Sequence, residues 1–427
     1  MLKLALAALV LLALASTTLI NSEASSPIVW FKPAPADRVE FSLDGGRVLA
    51  WGPDGRELSV LDTNGSTLIT LRFEEDLHLC SACISPDGGL VAACLSELKE
   101  AKGTEQEQAA IRVGAYSVDE GRELWSVVRE DCWDAHACFA PDGCSLAALY
   151  VGRGPNGSRR ALIECLDTSS GRTLWRFVAE AQGEGALSFF RGFVAASIGS
   201  RLLCFNYCDG RLLWEATLPS EVRGLKGALH GEVLAAAEWS RLHAFNASTG
   251  DELWCRDLEV PVFSLDVSGD GGLVVVGGWR GALAFNRRGE LVWRYYHGLD
   301  AVTPAAVSNE GYAVIAVNNL TEVKAAFIDP EGMVLWEAKL PRLSVCVDVA
   351  VTIDGGCAAL GSEYEGLYLV KGRGYVEAPH PPPAKPPIAI EVVEEPPLRW
   401  RARLVDEARA LCMIEDVILV VATEGWL

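Results

Sequence analysis

From Ser264 to Tyr296 the chain reads SLDVSGDGGLVVVGGWRGALAFNRRGELVWRYY, with its apolar residues in four short runs separated by Gly, Asp and Arg. Short apolar or alternating runs bounded by such residues predict strands rather than helices. Four in succession, joined by tight turns, predict a four-stranded antiparallel meander. The same grammar returns along the chain. A glycine precedes a tryptophan by four positions at Gly121/Trp125, Gly171/Trp175, Gly210/Trp214, Gly250/Trp254, Gly289/Trp293 and Gly332/Trp336, and these tryptophans are 50, 39, 40, 39 and 43 residues apart. A period near 40 marks one supersecondary unit per repeat. The first turn of the units is spelled SLDGG from Ser42, SPDGG from Ser85, APDG from Ala140, SGDGG from Ser268, SNEG from Ser308 and TIDGG from Thr352. Asp-Gly suits the positive φ angles of tight hairpins.

Glycine turns the chain into the fourth, outermost strand, and tryptophan projects from it as a large apolar body that wedges against the neighbouring sheet. One wedge per sheet, repeated around a ring, is the packing of a β-propeller, whose units cannot bury their faces alone. The segments LHAFNASTGDELW, LLCFNYCDGRLLW and ALIECLDTSSGRTLW resemble the repeat of the pyrroloquinoline-quinone-type (PQQ-like) propellers, whose docking motif runs Asp or Asn, Thr-Gly, Trp. The SPDG turns are similar to those of WD-repeat propellers, although no Trp-Asp dipeptide closes the third strand. The resemblance spans about residues 27 to 378 and implies the fold.

Fourth-strand signals occur at Ile69, which follows Gly65, and at the six tryptophans. An eighth set of inner strands follows in Ser344–Gly372, with no Gly-x-x-x-Trp after it, while SSPIVWFKP at the start reads as an orphan fourth strand centred on Trp30. Joining the ends removes an exposed sheet edge, so the expectation is an all-β, eight-bladed propeller, with seven blades if one poorly spelled unit is irregular. Trp30, Trp125, Trp175, Trp214, Trp254, Trp293 and Trp336 are then blade-docking residues. The propeller is assigned to residues 25–378, a proline-rich linker to 379–397 and a tail with two strand-like runs, Ala408–Ile414 and Val417–Ala422, to 398–427.

Charge narrows the partners. Lys plus Arg total 37 against 57 Asp plus Glu, a net charge of −20, which repels nucleic acid phosphates and anionic lipid headgroups. The start, MLKLALAALVLLALAST, has one lysine, an apolar run and the small pair Ala13 and Ala15. Residues 1–24 therefore read as an export signal or, failing cleavage, a short anchor, the one segment expected to meet a membrane. Sequons at Asn64, Asn156, Asn246 and Asn319 are N-glycosylation candidates in an exported chain. Thirteen cysteines in an oxidising compartment would pair, with Cys80 and Cys94 flanking the SPDGG turn as the candidate bridge; Cys132, Cys138 and Cys144 cluster similarly, as do Cys204 and Cys208.

Candidate chemistry is sparse. The histidines at 78, 136, 230, 243, 297 and 380 show no HExxH spacing and read as ordinary surface or strand residues. Cys80 and Cys83 form a CxxC, but on a strand residues i and i+3 face opposite sides, a poor geometry for chelation. Quinone-dependent dehydrogenases resemble this chain in their repeat, yet that family carries a vicinal Cys-Cys disulfide, and no Cys-Cys dipeptide occurs here. GxSxG, GxxxxGK[ST] and EF-hand loops are absent. No catalytic residue, cofactor or metal is assigned. The resulting expectation is an exported, extracytoplasmic, monomeric propeller binding a protein partner or scaffolding the cell envelope, as the resemblance to envelope-assembly propellers implies. The rival is a propeller enzyme, either a divergent quinoprotein oxidoreductase or a glycan hydrolase or lyase, whose carboxylates would converge from separate blades.

Overall fold

The computed structural model describes residues 26–375 apart from 100–107, 155, 259, 298–300, 319–322 and 344, and beyond them backbone strands between 392 and 426. The segment 1–24, most of the proline-rich linker and Asn319 lie outside the described residues. The chain divides into two units, Met1–Val376 and Glu377–Leu427.

The first unit is an eight-bladed propeller of four-stranded antiparallel sheets. Blade 1 comprises Arg38–Phe41, Arg47–Trp51, Glu57–Asp62 and Thr67–Arg72. Blades 2 to 7 follow in chain order, spanning Leu77–Glu130, Cys132–Glu180, Gly185–Thr217, Gly224–Asp257, Val262–Tyr296 and Ala305–Leu340. Blade 8 takes its three inner strands from Asp348–Val351, Cys357–Gly361 and Leu367–Lys371, and its outermost strand from Ile28–Lys32, in which Phe31 opposes Tyr368. Each inner strand contacts the inner strands of the blades before and after it, so the ring is closed.

The apolar residues form eight clusters, one in each gap between blades. Between blades 3 and 4, for example, Leu149, Ile163 and Trp175 pack on Val194, Leu203 and Phe205. Each sheet is thus apolar on both faces, which explains the near-continuous hydrophobic text of second strands such as LVVVGG, all six residues of which are buried.

The first hairpin turns divide the labour of their Asp-Gly pair. In Ser268–Gly272 the glycine Gly271 takes φ 72°, whereas the aspartate accepts hydrogen bonds, from Ser268 Oγ at 3.0 Å and from Gly272 N–H at 2.7 Å. The same pattern holds at Asp44, Asp87 and Asp354.

In the second unit the backbone forms the strands Val392–Glu395, Leu398–Leu404, Ala410–Ile414, Val417–Val421 and Gly425–Trp426, with antiparallel pairing of the first with the second, the third with the fourth, and the second with the fifth. Val392–Glu395 falls inside the stretch assigned to linker, because IEVVEE interrupts the prolines with strand-compatible residues.

Candidate functional site

A meander blade puts its first-to-second and third-to-fourth turns at one end of the ring, and its second-to-third turns and interblade links at the other. The first face is polar, built from the Asp-capped hairpins. The second carries an aromatic cluster. Trp239, in the second-to-third turn of blade 5, is 47% exposed. Its ring lies 6.0 Å from that of Phe263, at the start of the blade 6 inner strand, which in turn lies 5.9 Å from Trp279, in the second-to-third turn of blade 6. Arg223, in the link entering blade 5, sets its guanidinium 4.5 Å over the Trp239 ring. Arg280, next to Trp279, holds φ 71°, a left-handed backbone uncommon for a non-glycine. Trp133 and Tyr364 add exposed aromatic surface at the same end of blades 3 and 8. From Trp279 a groove runs outward along blades 5 and 6, lined by Leu258, Val260, Leu291, Tyr295 and Tyr296. Exposed Trp, Tyr and Arg in one patch have the composition of a polypeptide-binding hot spot.

Beneath this face the inner strands surround an axial channel with few charges. Lys226 of blade 5 keeps 51% of its side chain exposed although it sits on an inner strand, and its Nζ lies 3.4 Å from Asp266 Oδ1 of blade 6. Burial pushes the Glu40 carboxyl up to about 7 against the opposing pull of Lys226, and pushes Asp348 up to about 6. These acids are tied to the next blade. Asp348 Oδ2 accepts Val39 N–H at 3.0 Å and Asp266 Oδ2 accepts Val307 N–H at 2.9 Å; Ser188 and Ser264 hydroxyls accept Gly227 and Ala305 amides in the same way. The channel acids therefore stitch inner strands together, each satisfying an amide that the ladder leaves over.

The tryptophans of the repeat lie at the rim. Their indoles sit on a glycine of the following blade: a Cβ built on Gly210 would come 2.4 Å from Trp175, on Gly250 2.7 Å from Trp214, and on Gly332 2.4 Å from Trp293. Trp30, Trp125 and Trp254 meet Gly65, Gly171 and Gly289 likewise. The recurring glycine thus serves the previous blade's tryptophan as well as its own turn, where Gly210 takes φ 68°. Indole N–H groups of Trp30, Trp125, Trp175, Trp214 and Trp254 donate to backbone carbonyls of that turn at 2.7–3.0 Å. Trp336 faces blade 8, whose outer strand comes from the other end of the chain, and packs on Tyr375 instead; among the described residues the Nε1 groups of Trp336 and Trp293 find no acceptor.

Other residues singled out from the sequence fall apart. Cys80 and Cys94 are free thiols. A bulge between Leu79 and Ser81 puts Ser81, not Cys80, opposite Cys94. Cys132, Cys138, Cys144, Cys204 and Cys208 are free as well. Asn64 and Asn156 are exposed; Asn246 is half-buried, its amide oxygen accepting Ser248 and Thr249 N–H groups. His243 is a strand histidine, on the third strand of blade 5, but a buried one: its side chain is 5% exposed, between Glu238 and Glu252. The aromatic cluster has a faint signal in the sequence. Trp239 and Trp279 each stand six residues before a repeat phenylalanine, Phe245 and Phe285, where blade 4 has Gly199 before Phe205.

Comparison with known proteins gives the repeat its family. A family model described as outer membrane protein assembly factor BamB matches residues 159–226 and 199–370. The chain is a PQQ-like repeat propeller. Among solved structures, BamB from Moraxella catarrhalis is similar with a TM-score of 0.54 and 15% identity, covering 81% of this chain and 99% of its own. Saccharomyces cerevisiae Sqt1 is similar with a TM-score of 0.59 and 12% identity, over the same shares. No curated protein matches. At such identities the likeness speaks for the fold, so what this PQQ-like propeller does has to be argued from its own surface.

Proposed function

We propose that this PQQ-like propeller is an exported, non-catalytic platform that docks polypeptide on its aromatic face and assists the assembly of envelope proteins. The observation that carries the proposal is the Trp239–Phe263–Trp279 cluster capped by Arg223. Large rings left in water on one face of a well-packed protein call for a partner. Its support comes from the family model's description as an outer membrane protein assembly factor, from the apolar start with its small-residue pair, and from exposed sequons at Asn64 and Asn156. In this proposal the propeller works as a monomer, and only an uncleaved N-terminal segment would touch a membrane.

The test is site-specific photo-crosslinking in cells that export the full chain. A crosslinker replacing Phe263 should capture polypeptide, whereas one replacing Asp44 on the opposite face should not. Trp239→Ala with Trp279→Ala should weaken binding of the captured partner at least about tenfold, as hot-spot truncation does. Equal capture from both faces would sink the assignment. A specific turnover of alcohols, aldoses or glycosides, with or without quinone and calcium, would replace it by the enzymatic reading.

A further inference from the structure

Blade 5 holds a second constellation, independent of the aromatic face. His243 on the third strand lies directly opposite Cys255 on the outer strand, and Cys255 Sγ is 4.0 Å from His243 Nε2. Ligating atoms of His243, Glu252 and Cys255 all lie within 4.8 Å of one another. Glu252 Oε1 is 2.7 Å from Nδ1 and Glu238 Oε2 is 3.5 Å from Nε2, so each ring nitrogen faces a carboxylate. Glu238 is 4% exposed and anchored, because its other oxygen accepts the Ser220 N–H at 2.6 Å from the link between blades 4 and 5. The imidazole is stacked at 15° on Phe245, which fixes its plane. Glu252, by contrast, is 47% exposed and opens the cluster to solvent.

We propose that His243, Cys255 and Glu252 form a binding site for a borderline-soft divalent ion, Zn²⁺ first, with Glu238 orienting the imidazole. The donor set is mixed nitrogen, sulfur and oxygen, which Zn²⁺ accepts and which hard ions such as Ca²⁺ and Mg²⁺ do not prefer. Tetrahedral Zn²⁺ with bonds of 2.0–2.3 Å places its ligand atoms about 3.3–3.7 Å apart. With Nδ1 as the ligating nitrogen and Nε2–H left to Glu238, Glu252 Oε1, now 2.7 Å from Nδ1, must draw back and Cys255 Sγ, now 4.0 Å from Nε2, must turn toward Nδ1 to reach that. Three protein ligands leave a fourth position on the solvent side for water or a partner's side chain. A carboxylate behind a ligating histidine is the usual second support of such sites. In the sequence the site reads Glu, four residues, His, eight residues, Glu, two residues, Cys, all within one blade, and it lacks the short HExxH or paired CxxC spacings by which metal motifs are found.

Full-length protein, freed of metal by chelation and kept reduced, should be titrated with Zn²⁺ alone and with Co²⁺ alone. One equivalent should bind, and the Co²⁺ form should show the thiolate-to-cobalt charge-transfer absorption. Cys255→Ser should abolish that band and weaken Zn²⁺ at least about tenfold, while Glu238→Gln should keep the band and weaken affinity about 10–100-fold. His243→Gln should lose stoichiometric binding; if it fails to fold, the half-buried Cys255 still provides the decisive variant. Absence of stoichiometric uptake in the parent protein overturns the site, and so does an unchanged band and affinity in Cys255→Ser, which would assign binding to other thiols.

Discussion

Two sets of tryptophans divide the propeller. At the rim Trp175, Trp254, Trp293 and Trp336 are 9%, 7%, 6% and 2% exposed, each indole pressed into an interblade gap. On one face Trp133, Trp239 and Trp279 are 38%, 47% and 38% exposed, held by neighbouring rings or arginines. One residue type thus stands in two settings: where a glycine of the next blade leaves a flat seat, the ring is buried between blades; where the seat is missing, the ring stays partly exposed on the face. The sharpest break of this comparison is the same substitution in both sets. Trp175→Ala should destabilise by about 3–5 kcal/mol, the range for large buried aromatics. Trp239→Ala should change stability by no more than about 0.5 kcal/mol. Denaturant midpoints measured side by side check both; similar losses would mean that the face cluster is structural too.

The seat itself can be broken without touching a ring. Gly210→Ala forces φ 68° on an alanine and drives its Cβ to 2.4 Å from Trp175. A cost of about 2–3 kcal/mol is expected, part left-handed strain and part displacement of the indole. Gly157 has the same hand, φ 76°, with nothing within 4 Å of its added Cβ. Gly157→Ala should therefore show the strain alone, about 1 kcal/mol. Equal costs at the two sites would refute the seating of one blade's tryptophan on the next blade's glycine.

This division also sets what was legible in the sequence. The rim could be read because six docking tryptophans recur at a fixed offset from a turn glycine; the eighth blade and its closing strand at Trp30, which has no such glycine before it, had to be inferred from the unpaired strands at the two ends. The aromatic face carries the same kind of signal at Trp239 and Trp279, but only twice. The stacking of Phe263 between them depends on how two blades meet. The channel charges were illegible for another reason: Glu40, Lys226 and Asp266 share an offset, two residues before the first turn of their blades, but residue type and sign change from blade to blade, and Asp348 stands four residues before its turn, so no repeated letter marks them. Cys80 falls out of register with Cys94 because of a single-residue bulge, and no local pattern announces a bulge.

The channel and the polar face respond to pH in opposite senses. Burial raises Glu40 to about 7 in the folded state, whereas an unfolded glutamate titrates near 4.3. Its contribution is fully present below about pH 4 and is lost as pH rises toward 7, because the unfolded chain releases the proton first. Glu40→Gln, neutral throughout, should be more stable than the parent at pH 8 by about 2 kcal/mol and nearly equal at pH 4. Asp354, on the polar face, is held below its ordinary value by hydrogen bonds from Gly356 N–H and the Thr352 hydroxyl. Its contribution is present above about pH 4 and lost on acidification. Thermal melts from pH 3 to 8 should therefore show Glu40→Gln flattening the neutral side of the profile and Asp354→Asn the acid side. The same change of slope in both variants would contradict this assignment of burial in the channel and hydrogen bonding in the turns.

The smallest effect is expected where the rim departs from its own rule. Blade 1 presents Ile69 in place of tryptophan, and Gly121, its seat on blade 2, would place a Cβ 3.9 Å from Ile69 Cδ1, against 2.4–3.1 Å for the glycines beneath Trp30, Trp125, Trp175, Trp214, Trp254 and Trp293. The seat is present and the occupant is small. Ile69→Trp restores the repeat's ring over an existing glycine, so it should be neutral to stabilising by up to about 1 kcal/mol, in the manner of a filled cavity. The same substitution followed by Gly121→Ala should cost more than Gly121→Ala alone, because the alanine would then meet an indole. A double-mutant cycle reads that coupling directly. If the two changes prove additive, the tighter seating elsewhere is an accident of neighbouring packing, and tryptophan and glycine were never selected as a pair.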